Sequence, residues 1–389
     1  MALVGRAFWY VRSVVTIVFK NGFFLIALGT LTALFTIPAL FPLGTSGQAF
    51  MPAYYEAALH TQEGAVVSIT GRVPEVIRET QQEKKRLLQE IVDAKGSSQY
   101  YEKVAAYEQY ASDTLGLGGT LIYEGTFDPR VAYRAGALLA TQIAELDAPE
   151  VYARSTEAPA SFYAAYYLCS IPYPLVFLPL FTAICVLAGA KSRRRLMATL
   201  PLAEPIEYAY VVLALALVCL LGLVVMCIPG LIISLFHNGW GSLSYPVVYV
   251  VGERIVLSNI GTVIGSYLLL FCLACVFLSM LTCATLLVAN PVLARVVLAV
   301  VLLVPLFQSV LTGIAPDWLV GAVPTSYLNI PSITGYPSYV IGGPIAARGV
   351  GTLEAGLVSL SLGCFVATAV LLLDDAFRRI RSSLTDSGR

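Results

Sequence analysis

The 389-residue sequence predicts an all-α polytopic membrane protein with six transmembrane helices. The first observation is composition: 58% of the residues are hydrophobic, 12% are charged and the mean hydropathy is +0.78, whereas about a quarter of a soluble domain is charged. The second is that six stretches reach the roughly 20 apolar residues that a bilayer-crossing helix needs. None of them contains an ionisable Asp, Glu, Lys, Arg or His in its interior. The predicted spans are residues 22–43, 168–189, 208–236, 258–289, 293–315 and 354–373.

The N-terminal residues 1–21 continue the apolar pattern of the first span and interleave it with basic residues. Joined to that span, they would form a helix about 60 Å long, twice the thickness of the hydrocarbon core. We therefore expect a separate connector helix on the membrane surface, with Phe8 and Trp9 in the interface and Arg6 and Arg12 towards the headgroups. The alternative is a single long, tilted first helix.

The polar segment 44–167, between the first two spans, predicts a mostly helical domain outside the cytoplasm. Apolar residues recur at helical spacing over 74–95, and a Gly-Ser-Ser break follows. A second helix with Tyr101, Val104 and Leu115 on one face is expected to fold back as a hairpin. Two further predicted features, a short strand and a helix start, lie at residues 120–126 and at Asp128 with Pro129.

The formal net charge is zero, which gives no reason to expect a nucleic-acid partner, but the charges are unevenly placed. Twelve basic residues lie beside one side of the predicted spans, against only Arg254 and Arg348 in the short loops on the other. The positive-inside rule then places both termini in the cytoplasm, with residues 375–389 as a short tail, and the 44–167 domain outside. The twelve are Arg6, Arg12, Lys20, Lys191, Arg193, Arg194, Arg195, Arg295, Arg378, Arg379, Arg381 and Arg389.

The uncharged spans argue against ion-coupled transport, which needs ionisable or coordinating groups within the membrane. They also lack the residues for intramembrane hydrolysis, and the chain has no phosphate-binding Gly-Lys-Ser/Thr loop. All eight cysteines lie in apolar segments, and the one C-x-x-C pair, Cys272 and Cys275, has no accompanying ligands. We therefore expect no catalytic, cofactor or metal site in this chain.

The spans do contain features that bend and pack helices. Pro229 and Gly230 interrupt the third span, so that helix is expected to be tilted, broken or partly interfacial. Gly261 and Gly265 form a small-xxx-small pair at the start of the fourth span. This pair predicts close helix packing, either within one chain or at a dimer seam.

The loop 190–207, between the second and third spans, begins with the basic run from Lys191 to Arg195. Alone, such a run is typical of a positive-inside anchor that contacts lipid headgroups. It is followed by a leucine-rich turn and by Thr199-Leu-Pro201-Leu before the next span. With these residues the loop resembles the first cytoplasmic loop of ATP-binding cassette (ABC) transporter permeases of the type-two exporter class. The surface helix, the large outer segment, the five further spans and an outer re-entrant region at 316–353 extend the resemblance over the chain.

In that family the loop is a coupling helix that docks on a separate cytoplasmic ATPase, which binds the ATP and Mg²⁺, and two permease chains pair. The resemblance also implies that the re-entrant region closes the outer end of the pathway. Aromatic residues there can line this gate, or serve as interfacial anchors. The coupling residues that it implies are Arg193, Arg194, Arg195, Leu196, Thr199, Pro201, Glu204 and Glu207, and the gate residues are Trp318, Tyr327 and Tyr336.

The expected function is therefore that of a permease subunit of an ATP-driven exporter in the bacterial cytoplasmic membrane. The uncharged spans favour a hydrophobic or amphipathic substrate such as a lipid, a peptide or a drug-like molecule, because burying an unpaired charge is costly. The alternative is a non-transporting scaffold or sensor whose outer helical domain binds a partner. An autonomous membrane enzyme ranks third, for want of catalytic groups in the spans.

Overall fold

The computed structural model describes residues 2–42, 50–68, 74–115, 129–146, 154–170, 204–251, 254–285, 296, 323–328, 330 and 352–386. Four of the helices in these ranges are long and apolar enough to cross a membrane: Gly22–Leu40, Tyr208–Asn238, Ile260–Thr285 and Leu353–Asp374. They coincide with the first, third, fourth and sixth predicted spans, which confirms a helical, membrane-embedded fold. The predicted spans at 168–189 and 293–315 lie almost wholly outside the described residues.

The N-terminal segment forms a helix of its own, α1 (Ala2–Phe19), followed by α2 (Gly22–Leu40). The two are separated at Asn21, whose side-chain oxygen accepts a hydrogen bond from the Phe23 N–H at 3.0 Å and so caps α2. Residues 2–19 and 22–40 thus form two helices rather than one continuous helix. The place of α1 on the membrane surface stays a prediction.

The described parts of the segment after α2 are mostly helical, as predicted, and contain α3 (Pro52–Ser68), α4 (Glu75–Asp93), α5 (Tyr100–Asp113) and α6 (Pro129–Ala144). Helices α4 and α5 form the expected hairpin, with Gly96 in the left-handed region at φ +78° between them. The Lys103 ammonium of α5 donates to Glu90 of α4 at 2.8 Å and lowers the pKa of that carboxyl. The predicted helix start at Pro129 is confirmed, and the predicted strand at 120–126 lies outside the described residues.

Helix α7 (Ala160–Ser170) leads towards the second predicted span, and α8 (Glu204–Asn238) contains the third. Helix α8 runs through Pro229 without a break, so the predicted interruption is absent. The missing side chain at Gly230 instead lets α8 lie close to its neighbours. A Cβ there would be 3.0 Å from the Phe35 ring of α2 and 3.1 Å from the Tyr163 ring of α7.

A β-hairpin that the sequence analysis did not predict joins α8 to the next helix. Strands β1 (Pro246–Val251) and β2 (Arg254–Asn259) pair antiparallel and pack against α6. Helix α9 (Ile260–Thr285) follows directly, with the Asn259 side chain accepting from the Thr262 N–H at 2.8 Å. The fourth span therefore starts at Ile260 rather than at the predicted residue 258.

The chain closes with a 3-10 turn, Pro324–Leu328, and α10 (Leu353–Asp386). Helix α10 continues well past the end predicted for the sixth span, residue 373, into the predicted tail. It packs closely on α9 at Gly363, where a Cβ would lie 2.7 Å from the Phe277 ring.

The four membrane-length helices have a common end, which carries α3–α6 and the β-hairpin and is called the domain end. Near the end of α2, the Ser155 hydroxyl donates to the Phe41 carbonyl oxygen at 3.2 Å. At the start of α9, the Gly261 N–H donates to the Leu243 carbonyl oxygen at 2.8 Å. Helices α2 and α8 finish at this end, and α9 and α10 begin there. The opposite end, where α8 begins, is called the tail end.

Candidate functional site

A cavity of about 360 Å³ lies between α8, α9 and α10 in the half of the bundle nearer the tail end. This tail cavity falls within the size range of small-molecule sites. Every lining residue that the structure describes is uncharged, and nearly all are apolar. The lining consists of Tyr208, Ala209, Val212, Leu213 and Ala216 of α8, Val276 and Met280 of α9, and Thr368, Leu371 and Leu372 of α10.

Helical periodicity explains how the three helices build this lining. Tyr208, Val212 and Ala216 of α8 follow one another at four-residue steps and so share one face. Val276 and Met280 do the same on α9. Small side chains such as Ala216 leave space between helices that larger neighbours would fill.

The tail cavity contains two hydroxyl groups among apolar side chains. The Thr368 hydroxyl donates to the Cys364 carbonyl oxygen of its own helix at 2.8 Å and lies 3.6 Å from the Met280 sulfur. Methionine is flexible and polarizable, and adapts its shape to a bound apolar group. Tyr208 contributes the second hydroxyl, at the first turns of α8. This lining can hold an apolar or amphipathic molecule by burial and orient it through one or two hydrogen bonds.

Helix α8 connects the tail cavity to the domain end. Its 35 residues correspond to a length of about 52 Å. At its last turn the Asn238 side-chain amide donates to the carbonyl oxygens of Thr156 at 2.7 Å and Ala158 at 3.1 Å. The Ser234 hydroxyl also donates to the Ala158 oxygen. Several hydrogen bonds thus join the residues just before α7 to the end of α8.

Two backbone bonds complete this junction. The Ala160 N–H donates to the Gly239 oxygen at 3.0 Å, and the Ser161 N–H donates to the Trp240 oxygen at 2.9 Å. They satisfy amide donors at the first turn of α7 that have no partner within the helix. The junction therefore leaves α8 little freedom to move independently of α7.

The residues predicted to couple to an ATPase lie next to this cavity in sequence. The positions from Arg193 to Pro201 are outside the described residues, whereas Glu204 and Glu207 belong to the first turns of α8. The cavity-lining Tyr208 follows Glu207 directly. Sequence reasoning identified the loop but missed the cavity that begins where the loop ends.

The predicted gate and packing residues have separate places. Trp318 and Tyr336 lie outside the described residues, and Tyr327 is buried in the 3-10 turn beside α10. A Cβ on Gly261 would lie 3.3 Å from the Leu243 oxygen, so this glycine allows close packing within the chain. A Cβ on Gly265 would meet nothing within 4 Å, so the predicted pair does not act as one contact.

Metal-binding clusters are absent from the described part of the chain, where no three His, Cys, Asp or Glu side chains gather closely enough to hold an ion. Six cysteines in the described helices are free thiols, with Cys275 buried and Cys272 exposed; they are Cys219, Cys227, Cys272, Cys275, Cys283 and Cys364. No protein-family model, no curated protein and no solved structure matches the chain. Any functional assignment therefore depends on the sequence pattern and on the geometry described above.

Proposed function

We propose that this chain is the transmembrane permease subunit of an ATP-driven exporter and moves a hydrophobic or amphipathic substrate across the bacterial cytoplasmic membrane. The proposal rests on the position of helix α8. The helix lines the tail cavity near its first residue, and its last-turn residue Asn238 is hydrogen-bonded to Thr156, just before α7. A single element thus connects the predicted ATPase-docking loop, a cavity and the domain end.

The mechanism follows from the stiffness of a continuous helix. The ATPase subunit, which binds ATP and Mg²⁺, would displace the loop 190–207. Because Tyr208 and Val212 lie within the next turns of α8, that displacement would move one wall of the tail cavity relative to α9 and α10. The same helix would carry the motion to Asn238 and α7, so that the two ends of the bundle respond together.

The directions of the described helices support the six-span layout. Helix α7 starts beside Gly239 at the domain end and reaches into the bundle, where the Tyr163 hydroxyl donates to the Phe35 oxygen. Helix α8 starts at the tail end, and α9 and α10 both begin at the domain end. These directions are consistent with the predicted spans at 168–189 and 293–315.

The chemistry of the tail cavity supports the substrate class. An ionised group placed against its apolar walls would lose hydration without gaining a charged partner. An apolar chain with one hydrogen-bond donor fits the lining, since the Thr368 hydroxyl oxygen can accept a hydrogen bond while its proton is donated to Cys364.

The test is stimulated ATP hydrolysis with candidate ABC-type ATPases. We expect the purified chain to form a complex with one of them and to raise its turnover. Charge reversal at R193E/R194E/R195E should abolish at least four-fifths of the stimulation, because it removes the basic face of the coupling loop. The matched control is R378E/R379E/R381E, which reverses the charge of three arginines near the end of α10. This variant should retain most of the stimulation. No complex, or equal effects of the two triple variants, would contradict the proposal.

In the scaffold or sensor alternative, α8 and its junction with α7 transmit a signal in the opposite direction, from the domain end to the tail end. A partner bound to α3–α6 would act through the β-hairpin, which packs on α6, and through the junction of α7 with α8. This alternative predicts no ATP-dependent movement of substrate, and transport itself therefore distinguishes the two.

A further inference from the structure

A second cavity, of about 450 Å³, lies at the domain end between β2 and the first turns of α9 and α10. It is called the domain-end cavity. Its chemistry differs from that of the tail cavity, because charged and hydroxyl-bearing side chains contribute to its lining. Strand β2 supplies Arg254 and Ser258, and α9 supplies Thr262 and Ser266.

Strand and helix periodicity place these four side chains along one polar strip. Arg254 and Ser258 share one face of β2, because side chains alternate between the two faces of a strand. Thr262 and Ser266 share one face of α9, because they are four residues apart. The strip therefore runs from the strand into the first two turns of the helix.

The polar groups of this strip are open to a ligand. Arg254 is exposed and forms no hydrogen bond or ion pair with any residue in the described part of the chain. Within the same described ranges, the hydroxyls of Ser258, Thr262 and Ser266 also have no hydrogen-bond partner. Glu354 of α10 lines the cavity too, but it already interacts with another residue. Arg254 is therefore the charge that remains for a ligand.

The donors of the strip match a phosphate group. A guanidinium group offers five N–H donors in a planar array that can bind two phosphate oxygens at once. The hydroxyls of Ser258 and Thr262, beside Arg254 in the lining, can donate further hydrogen bonds to these oxygens. A phosphodiester carries a single negative charge, which the single charge of Arg254 balances.

The position of the cavity along the bundle favours a lipid as the source of this phosphate. Helix α9 has 26 residues and is about 39 Å long, whereas the hydrocarbon core of a bilayer is about 30 Å thick. Strand β2 precedes this helix outside the span. The first turn of α9, with Thr262, therefore lies at the depth of lipid headgroups.

The helix surfaces that continue from the cavity into the membrane are apolar and face outward. On α10, Val358, Leu362 and Phe365 lie on one face at helical spacing, and their exposed fractions are 68%, 57% and 72%. On α9, Leu269 is exposed seven residues after Thr262. Both helices are long and apolar enough to span a membrane, so these side chains lie at the depth of acyl chains. A lipid with its phosphate in the cavity would therefore place its acyl chains along this apolar face.

We propose that the domain-end cavity binds a membrane phospholipid through its phosphodiester group. Arg254 and the hydroxyls of Ser258 and Thr262 hold the phosphate, and the apolar faces of α9 and α10 hold the acyl chains. Recognition through the phosphate means that the site accepts phospholipids with different head alcohols. The site requires only that the bundle is embedded in a membrane. It does not depend on an ATPase, so it can stand or fall separately from the proposed export function.

The experiment measures lipid binding by the purified full-length chain in detergent, using native mass spectrometry. The probes are dioleoyl phosphatidylglycerol, dioleoyl phosphatidylethanolamine and dioleoylglycerol, which has the same acyl chains without the phosphate. The wild-type chain should bind each phospholipid at least fivefold more tightly than dioleoylglycerol. Arg254→Gln should weaken binding of both phospholipids at least fivefold and leave dioleoylglycerol unchanged, because the variant loses only the phosphate contact.

The matched control is Arg154→Gln, which makes the same change at another exposed arginine of the domain end, outside the cavity lining. It should leave all three affinities unchanged. Equal binding of the three lipids by the wild-type chain, or wild-type phospholipid binding by Arg254→Gln, would overturn the proposal. Retained thermal unfolding temperatures show that each variant is folded.

Soluble glycerophosphoglycerol distinguishes a lipid from a free phosphate compound. It carries the same phosphodiester without acyl chains and should bind at least tenfold more weakly than dioleoyl phosphatidylglycerol. Equally tight binding would show that the apolar faces contribute nothing, and would overturn the assignment of the site to a lipid.

Discussion

At the scale of single residues, Gly241 fixes the junction between α8 and α7. Its φ is +80°, and a Cβ would lie 2.7 Å from the Pro159 Cβ and 2.8 Å from the Ser161 hydroxyl oxygen. Gly241→Ala therefore combines a strained backbone with an overlap against a proline. We expect a loss of about 1–3 kcal/mol in unfolding free energy, measured by denaturant unfolding of the purified chain in detergent.

Gly239 provides the control for this prediction. Its φ of +75° is similar, but a Cβ there would meet nothing within 4 Å. Gly239→Ala should therefore cost only the backbone strain, about 1 kcal/mol. Equal losses in the two variants would show that the contacts with Pro159 and Ser161 do not matter.

Lys84, which is buried on α4, makes the stability of the helices α3–α6 depend on pH. Burial lowers the pKa of its ammonium below the usual value, which the unfolded chain retains. Between the two pKa values the unfolded state binds more protons, so stability rises as the pH increases through this window. Lys84→Met should remove the part of this rise in stability that comes from Lys84. Hydrogen exchange of the helices in 50–146, compared at pH 7 and pH 10, measures the rise.

The adjacent Lys85 is the matched control, because its side chain is 40% exposed and pairs with Glu63 at 3.2 Å. Lys85→Met should leave the rise between pH 7 and pH 10 in place. An unchanged pH dependence in Lys84→Met would contradict the assignment of that rise to the buried ammonium.

At the scale of elements, α9 and α10 pack through Gly363. A Cβ at this position would lie 2.7 Å from the Phe277 ring and 3.0 Å from the Pro324 ring. Gly363→Ala should push α10 away from α9 and cost about 1–3 kcal/mol by overpacking, measured as a lower unfolding temperature in detergent. Gly265→Ala is the control, since open space surrounds that position. A loss as large for Gly265→Ala would contradict the packing account.

The sequence predicts most helices because their signals are local. An apolar run of about 20 residues is sufficient for a span, and the charged periodicity over 74–95 is sufficient for α4. The β-hairpin also has a local signal that the hydropathy pattern obscured. Two runs rich in β-branched residues, 246–251 and 254–259, are separated by Gly252 and Glu253, a two-residue spacing typical of hairpins.

The cavities could not be predicted from sequence, because they depend on how distant helices are rotated against each other. Tyr208, Met280 and Thr368 belong to three helices spread over about 160 residues, and each helix alone has an unremarkable apolar face. The pair Gly261 and Gly265 illustrates the same limit. Their spacing predicts close packing, yet only Gly261 has a neighbour within 4 Å.

At the scale of the whole molecule, the orientation of the bundle is a prediction from its arginines and lysines. A cysteine placed at Glu79 of α4 should react with a membrane-impermeant maleimide in intact cells, because the domain end is expected outside. A cysteine at Ser383, near the end of α10, should react only after the cells are permeabilised. Both cysteines belong in a background without the eight native ones. The reverse pattern would contradict the positive-inside assignment.

The central claim is that the transported substrate binds in the tail cavity and that movement of α8 drives its transport. Two leucines of α8 provide a matched pair: Leu213 lines the cavity and is 50% exposed, whereas Leu221 is 46% exposed and lies outside the lining. A tryptophan at position 213 would fill space in the cavity, and one at position 221 would not.

The most direct measurement is ATP-dependent movement of a fluorescent phospholipid across proteoliposomes that contain the chain and its ATPase. The wild-type chain should show transport, Leu213→Trp should lower the initial rate at least fivefold, and Leu221→Trp should retain more than half of it. Absence of ATP-dependent transport by a complex that hydrolyses ATP, or equal rates for the two tryptophan variants, would contradict the claim.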